Sequence, residues 1–180
     1  MSALGFAHFG SYAAKLGDIS GGYTYVKLAC SLLDKLGSRE NVGEIKAIRT
    51  QVVSYIEPLQ ATLEYHNEGY AAAIASGDII QAALNLCAGS LCNFYAGVKL
   101  QTTREKGDEV INFIRERKMA IFLLDVQLMQ NSVFKLIGMD EKLTHSSAEE
   151  ESIVATKNSS VKMTHLFQKS YISFMFRLYD

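Results

Sequence analysis

Apolar residues recur three and four positions apart along most of this chain, the period of a helix and not the period of two that marks a strand. Proline occurs once, at Pro58, so little interrupts the pattern. The spacing predicts a first helix from about Ala3 to Leu16, ended by Gly17-Asp18, and a second with Tyr23, Val26, Ala29, Cys30, Leu33 and Leu36 on one face. A third, from near Asn41 to Glu57, shows Ile45, Ile48, Val52 and Ile56 as a stripe before Pro58. A fourth carries Leu59, Leu63, His66, Tyr70 and Ala73 up to Ser76-Gly77-Asp78, and a fifth carries Ile80, Leu84, Cys87, Leu91 and Phe94 up to Ala96-Gly97. The sixth runs from about Leu100 to Arg117, and the seventh presents Phe122, Val126, Met129, Val133 and Leu136 before Gly138.

Helices of this length joined by short turns must fold back on their neighbours. Intra-hairpin turns near Asp18, Pro58, Gly97 and Gly138-Met139 repeat at about forty residues, somewhat above a minimal tetratricopeptide unit. The expected fold is therefore all-α: seven to eight helices as tetratricopeptide-like antiparallel hairpins, stacked as a short right-handed superhelix over residues 1–139. Small residues recur where such hairpins approach, as in Ala71-Ala72-Ala73, Ala82-Ala83 and Ala88-Gly89-Ser90. Gly89 is the informative one, because a mid-helix glycine costs about 1 kcal/mol relative to alanine and calls for a packing reason. Residues 140–160 are acidic and Ser-rich and are read as a loop. Residues 161–180 resume the period with Met163, Phe167, Phe174 and Leu178. This last helix is apolar on more than one side, so it is expected to fold back on the array or to mediate self-association.

Composition narrows the function classes. A hydrophobic fraction of 48%, 21% charged residues and a net charge of −1 describe a folded chain, not a disordered one. With 18 Lys+Arg against 19 Asp+Glu there is no excess to release counterions from phosphates, so nucleic acid is set aside. No apolar run reaches the roughly 20 residues that span a bilayer, and the start lacks a basic-then-apolar leader, so no membrane association is expected and the compartment is read as cytoplasmic. Cys30, Cys87 and Cys92 sit among apolar residues at helical intervals and are read as reduced core thiols.

Two runs carry a resemblance. The first is Tyr12-Ala13-Ala14-Lys15-Leu16-Gly17-Asp18-Ile19-Ser20-Gly21-Gly22-Tyr23 with Leu28 to Leu33. The second is Tyr55-Ile56-Glu57-Pro58-Leu59, then Gly69-Tyr70, Ala73, Ser76-Gly77-Asp78, Ala82, Tyr95, Gly97 and Leu100. Together, over about Phe6 to Gly138, they resemble the tetratricopeptide-like helical region that follows the AAA-type ATPase module in large multidomain signalling kinases. There it lies between a kinase-like amino-terminal part and carboxy-terminal GAF and histidine-kinase domains. The stretch after Asp140 departs from that pattern, and Leu178-Tyr179-Asp180 resembles another such turn cut short, which implies a fragment or a relative of such a protein. The resemblance implies regulation: partners would be another protein or the neighbouring ATPase and kinase domains of a longer chain.

No phosphate loop, kinase signature or nucleophile elbow occurs. None of His8, His66, His145 and His165 pairs at the spacing that holds zinc, and no cofactor or metal is expected. Glu64, His66 and Glu68 alternate along a helix and so cannot converge; His66 falls on the apolar stripe and reads as a core or groove histidine with one hydrogen bond. Ser132 and Lys135 match a serine–lysine spacing without its partner motifs. The chain is thus expected to be a non-catalytic interaction or regulatory module. Polar and aromatic residues of the inner helices would meet the partner, with Tyr23, Arg49, Tyr70, Asn85, Asn93 and Tyr95 as candidates. The alternative is a small-molecule sensor, which needs a pocket between helices lined by convergent polar groups.

Overall fold

The computed structural model describes residues 2–37 and 39–139. They form α1 (Ala3–Lys15), α2 (Ile19–Leu36), α3 (Val42–Val53), α4 (Leu59–Ser76), α5 (Ile79–Tyr95), α6 (Leu100–Glu116) and α7 (Leu123–Leu136), with one 3₁₀ turn at Ala120–Phe122. No strand occurs among the described residues. The expected loop at 140–160 and terminal helix at 161–180 lie outside them, as does the self-association ascribed to that helix.

Two of the turns share one chemistry. In Leu16-Gly17-Asp18 and Ser76-Gly77-Asp78 the aspartate caps the next helix, Asp18 Oδ1 accepting from the Gly21 N–H at 2.9 Å and Asp78 Oδ1 from the Gln81 N–H at 3.1 Å. Each cap is worth about 1 kcal/mol. Gly77 stands at φ +76°, a left-handed conformation that lets the chain reverse and that a Cβ would penalise by about 1 kcal/mol.

The third helix is shorter than its apolar period suggests. It ends at Val53, and the next residues turn, with the Tyr55 N–H donating to the Val52 carbonyl and the Ile56 N–H to the Val53 carbonyl. The ring of Pro58 disfavours helical backbone at Glu57, so the helix unwinds ahead of it. Ile56, expected on the stripe, is exposed.

Every helix packs on the next, and turns this short make the neighbours antiparallel. The odd-numbered helices also touch in series, α1 with α3, α3 with α5 and α5 with α7, while no two even-numbered helices make comparable contact among the described residues. The fold is therefore a row of stacked helical hairpins in two layers, an odd row held together laterally and an even row behind it. At the first crossing the backbones nearly meet: a Cβ on Gly10 would stand 2.7 Å from the Gly22 carbonyl oxygen, and one on Gly22 would stand 2.6 Å from that of Gly10.

Burial divides the interior in three. Ala7, Val26, Ala29, Leu33, Ile45 and Val52 form one apolar core between α1, α2 and α3. Val110, Ile111, Ile114, Val126, Met129 and Val133 form a second between α6 and α7, with Cys87 of α5. Between these lies the α4–α5 interface, where small Ala73, Ala82 and Ala83 are buried together with polar Thr62, His66, Asn85 and Ser90. Buried polar groups require partners, so this middle seam is where chemistry has to be sought.

Candidate functional site

Asn85, at 0% exposure, knits the seam. Its Nδ2 donates to the Gly43 carbonyl of α3 at 3.1 Å and to the Gln81 carbonyl one turn earlier at 2.9 Å. Its Oδ1 lies so close over Gly69 that a Cβ there would collide with it. Gly89 gives room to the His66 side chain of α4, since a Cβ would stand in tight contact, 3.1 Å from His66 Cβ. The mid-helix glycine thus has its packing reason.

His66 Nε2 lies 3.6 Å from Cys92 Sγ, both side chains buried. Burial lowers the imidazole to about 4, with the Asn85 carboxamide partly opposing the shift, and burial raises the Cys92 thiol to about 11, with Thr62 opposing. A nucleophilic cysteine needs the reverse, a thiolate favoured beside an imidazolium. At neutral pH both groups here are uncharged, and the pair acts as a weak internal hydrogen bond.

Above this seam the odd row opens. A half-open hollow of about 180 Å³ lies between α3 and α5 with His66 of α4 beneath it. On α3 the lining residues Glu44, Ala47, Ile48 and Gln51 follow the helical period, so one face supplies them all. Gln81, Leu84 and Ala88 of α5 form the opposite wall. Gln81 Oε1 is buried without a hydrogen-bond partner, and Glu44 Oε1 lies 2.9 Å from His8 Nε2 of α1. Leu84 and Ile80, one turn apart, are exposed, so α5 offers an apolar stripe beside the hollow.

The candidates taken from the sequence divide differently. Asn85 and Asn93 are buried; Asn93 Nδ2 donates to the Gly89 carbonyl at 2.9 Å, and Lys106 Nζ reaches its Oδ1 at 3.5 Å. Neither can meet a partner without unpacking the seam. Tyr70 is half-buried against Phe113 with ring centroids 5.9 Å apart, and Tyr95 is half-buried against Phe94. Tyr23 and Arg49 do come together, around a residue not singled out beforehand. The Tyr23 hydroxyl donates to Glu57 Oε1 at 2.8 Å, the Tyr65 hydroxyl donates to Glu57 Oε2 at 3.2 Å, and the Arg49 guanidinium lies 3.7 Å from the Tyr65 ring centroid. This clasp ties α2, the turn before α4, and α4. Glu44, Gln51 and Gln81 were missed; their signal was a polar residue on the helix face next to an apolar stripe, which by itself also describes any solvated surface.

Ser132 and Lys135 are both exposed on α7. Among the described residues no cluster of His, Cys, Asp and Glu could hold a metal ion, and no helix is long and apolar enough to cross a membrane. No protein-family model, curated protein or solved structure matches the chain.

Proposed function

We propose that this chain is a non-catalytic interaction module of the cytoplasm, whose odd-helix row receives a segment of a partner protein or of a neighbouring regulatory domain. The observation that carries this reading is the hollow between α3 and α5, polar at Glu44, Gln51 and Gln81 and flanked by exposed Ile80 and Leu84. Stacked helical hairpins use a continuous face of this kind to bind extended segments. The resemblance to helical regions beside signalling ATPases supports a regulatory setting. The uncharged His66–Cys92 pair supports a non-catalytic role.

The hollow also bears on the sensor alternative, and size weighs against it. Pockets that enclose a metabolite-sized ligand run to about 300–1,000 Å³, whereas an engineered cavity of about 150 Å³ takes one benzene ring. A space of about 180 Å³ suits a single inserted side chain.

Selection from a displayed random-peptide library against the whole chain tests the proposal. Bound peptides should lose at least about tenfold in affinity to Leu84→Arg on α5, a loss of about 1.4 kcal/mol. They should be indifferent to Ile74→Arg, an equally exposed apolar position on α4. Failure to select any peptide, or equal loss in both variants, would reject the odd row as the binding face.

A further inference from the structure

We infer that the α3–α5 hollow is an anchor pocket for a basic side chain, arginine in preference to lysine, projecting from the partner segment. The inference rests on the interaction reading above and specifies its partner. The hollow's one acidic wall residue is Glu44. Its Oε1 faces His8, and among the described residues no donor reaches Oε2. Beside it Gln81 Oε1 is an acceptor without a donor.

His8 of α1 meets Glu44 Oε1, and the basic side chains of α3 are engaged elsewhere among the described residues. The two basic residues of α3 sit on the helix face turned toward α4: Lys46 Nζ is engaged by Glu68 Oε2 at 2.5 Å, and Arg49 lies over Tyr65. His66 beneath the hollow is uncharged at neutral pH and so does not repel a guanidinium.

Shape selects within the basic residues. The guanidinium is planar, with five donors in a fixed fork, and can address a carboxylate and a carboxamide at once, whereas an ammonium is a compact point charge. Its alkyl stem is apolar and would lie along Ile48, Leu84 and Ala88. Beyond Cβ, arginine has about the bulk of the benzene ring that fills a cavity of about 150 Å³.

The test uses the whole chain with N-acetyl-argininamide, N-acetyl-norleucinamide and N-acetyl-glutamate amide as probes, read by amide and imidazole NMR shifts. The arginine probe should give saturable shifts at residues 44–51 and 81–88 and at the His66 ring. The norleucine probe should bind at least about fivefold more weakly, and the glutamate probe more weakly still. Glu44→Gln should weaken the arginine probe about fivefold, near the upper limit for a solvent-facing ion pair. Ala47→Leu, which fills the hollow and leaves Glu44 in place, should abolish the site while keeping the thermal midpoint. An arginine-bearing peptide from the selection should bind more tightly than the free amide.

Equal response to all three probes, no saturable response, no effect of Glu44→Gln, or a free amide as tight as any peptide would each overturn the inference. Peptides that bind the odd row without a basic residue would overturn it and leave the interaction module standing. Absence of any odd-row peptide would instead remove the module.

Discussion

The Tyr23–Glu57–Tyr65 clasp and the α3–α5 hollow draw on similar residue types, aromatic, acidic and amide side chains at helical spacing, yet they differ in how far their polar groups are met. In the clasp both carboxylate oxygens of Glu57 accept a tyrosine hydroxyl, and Arg49 spends its guanidinium on the Tyr65 face. At the hollow, Gln81 Oε1 has no hydrogen-bond partner and Glu44 is only half engaged. Burying polar groups without partners costs about 1–3 kcal/mol each, a cost that evolution accepts most readily where something else binds. The clasp is therefore read as structural and the hollow as functional. The scaffold beneath the hollow, Asn85 and His66, belongs with the clasp in holding helices together.

The largest effect that would sharpen this division concerns His66. Its folded-state value is lowered from 6.5 to about 4, so the unfolded chain takes the proton first. The stabilisation is complete above the unfolded value and is lost as pH falls from 6.5 toward 4, by about 3 kcal/mol in all. Over that range Cys92 stays an uncharged thiol. Comparing urea denaturation of the parent with His66→Leu at several pH values isolates the histidine, because only the parent should show this component. Equal pH dependence in both would place the imidazole in water instead of in the seam.

Next comes the carboxamide that joins three helices. Asn85→Ala removes both donated bonds and opens a void beneath Gly43 and Gly69, and should cost about 2–3 kcal/mol in denaturant midpoint analysis. Glu57→Ala leaves two half-buried tyrosine hydroxyls without their acceptor and should cost about 1–2 kcal/mol. Peptide affinity at the odd row should hardly change in that variant. Smallest of all, Gln51→Ala on the hollow's wall should shift stability by no more than about 0.5 kcal/mol. A wall substitution as costly as Asn85→Ala would erase the distinction between scaffold and site.

The helices were legible in the sequence because a period of 3.6 is written in the apolar residues and because Gly-Asp steps at 17–18 and 77–78 write the turns. The end of α3 was harder, since Ile56 keeps the apolar period past the point where Pro58 unwinds the backbone. The site was barely legible, and α5 shows why. Asn85 and Asn93 look like surface and are buried, because carboxamides can spend their hydrogen bonds on backbone carbonyls within the seam. Ile80 and Leu84 look like core and are exposed, because their face of α5 looks outward from the odd row. Periodicity tells which residues share a face of a helix; only the packing of α3 and α4 against α5 tells which face remains open.

Amide hydrogen exchange on the whole chain, with and without a library-selected peptide, tests the division between the two regions most directly. Slower exchange over residues 44–51 and 81–88, with 54–65 unchanged, is the predicted result. Protection centred on the turn and clasp at 54–65, with the α3–α5 hollow unchanged, would contradict it.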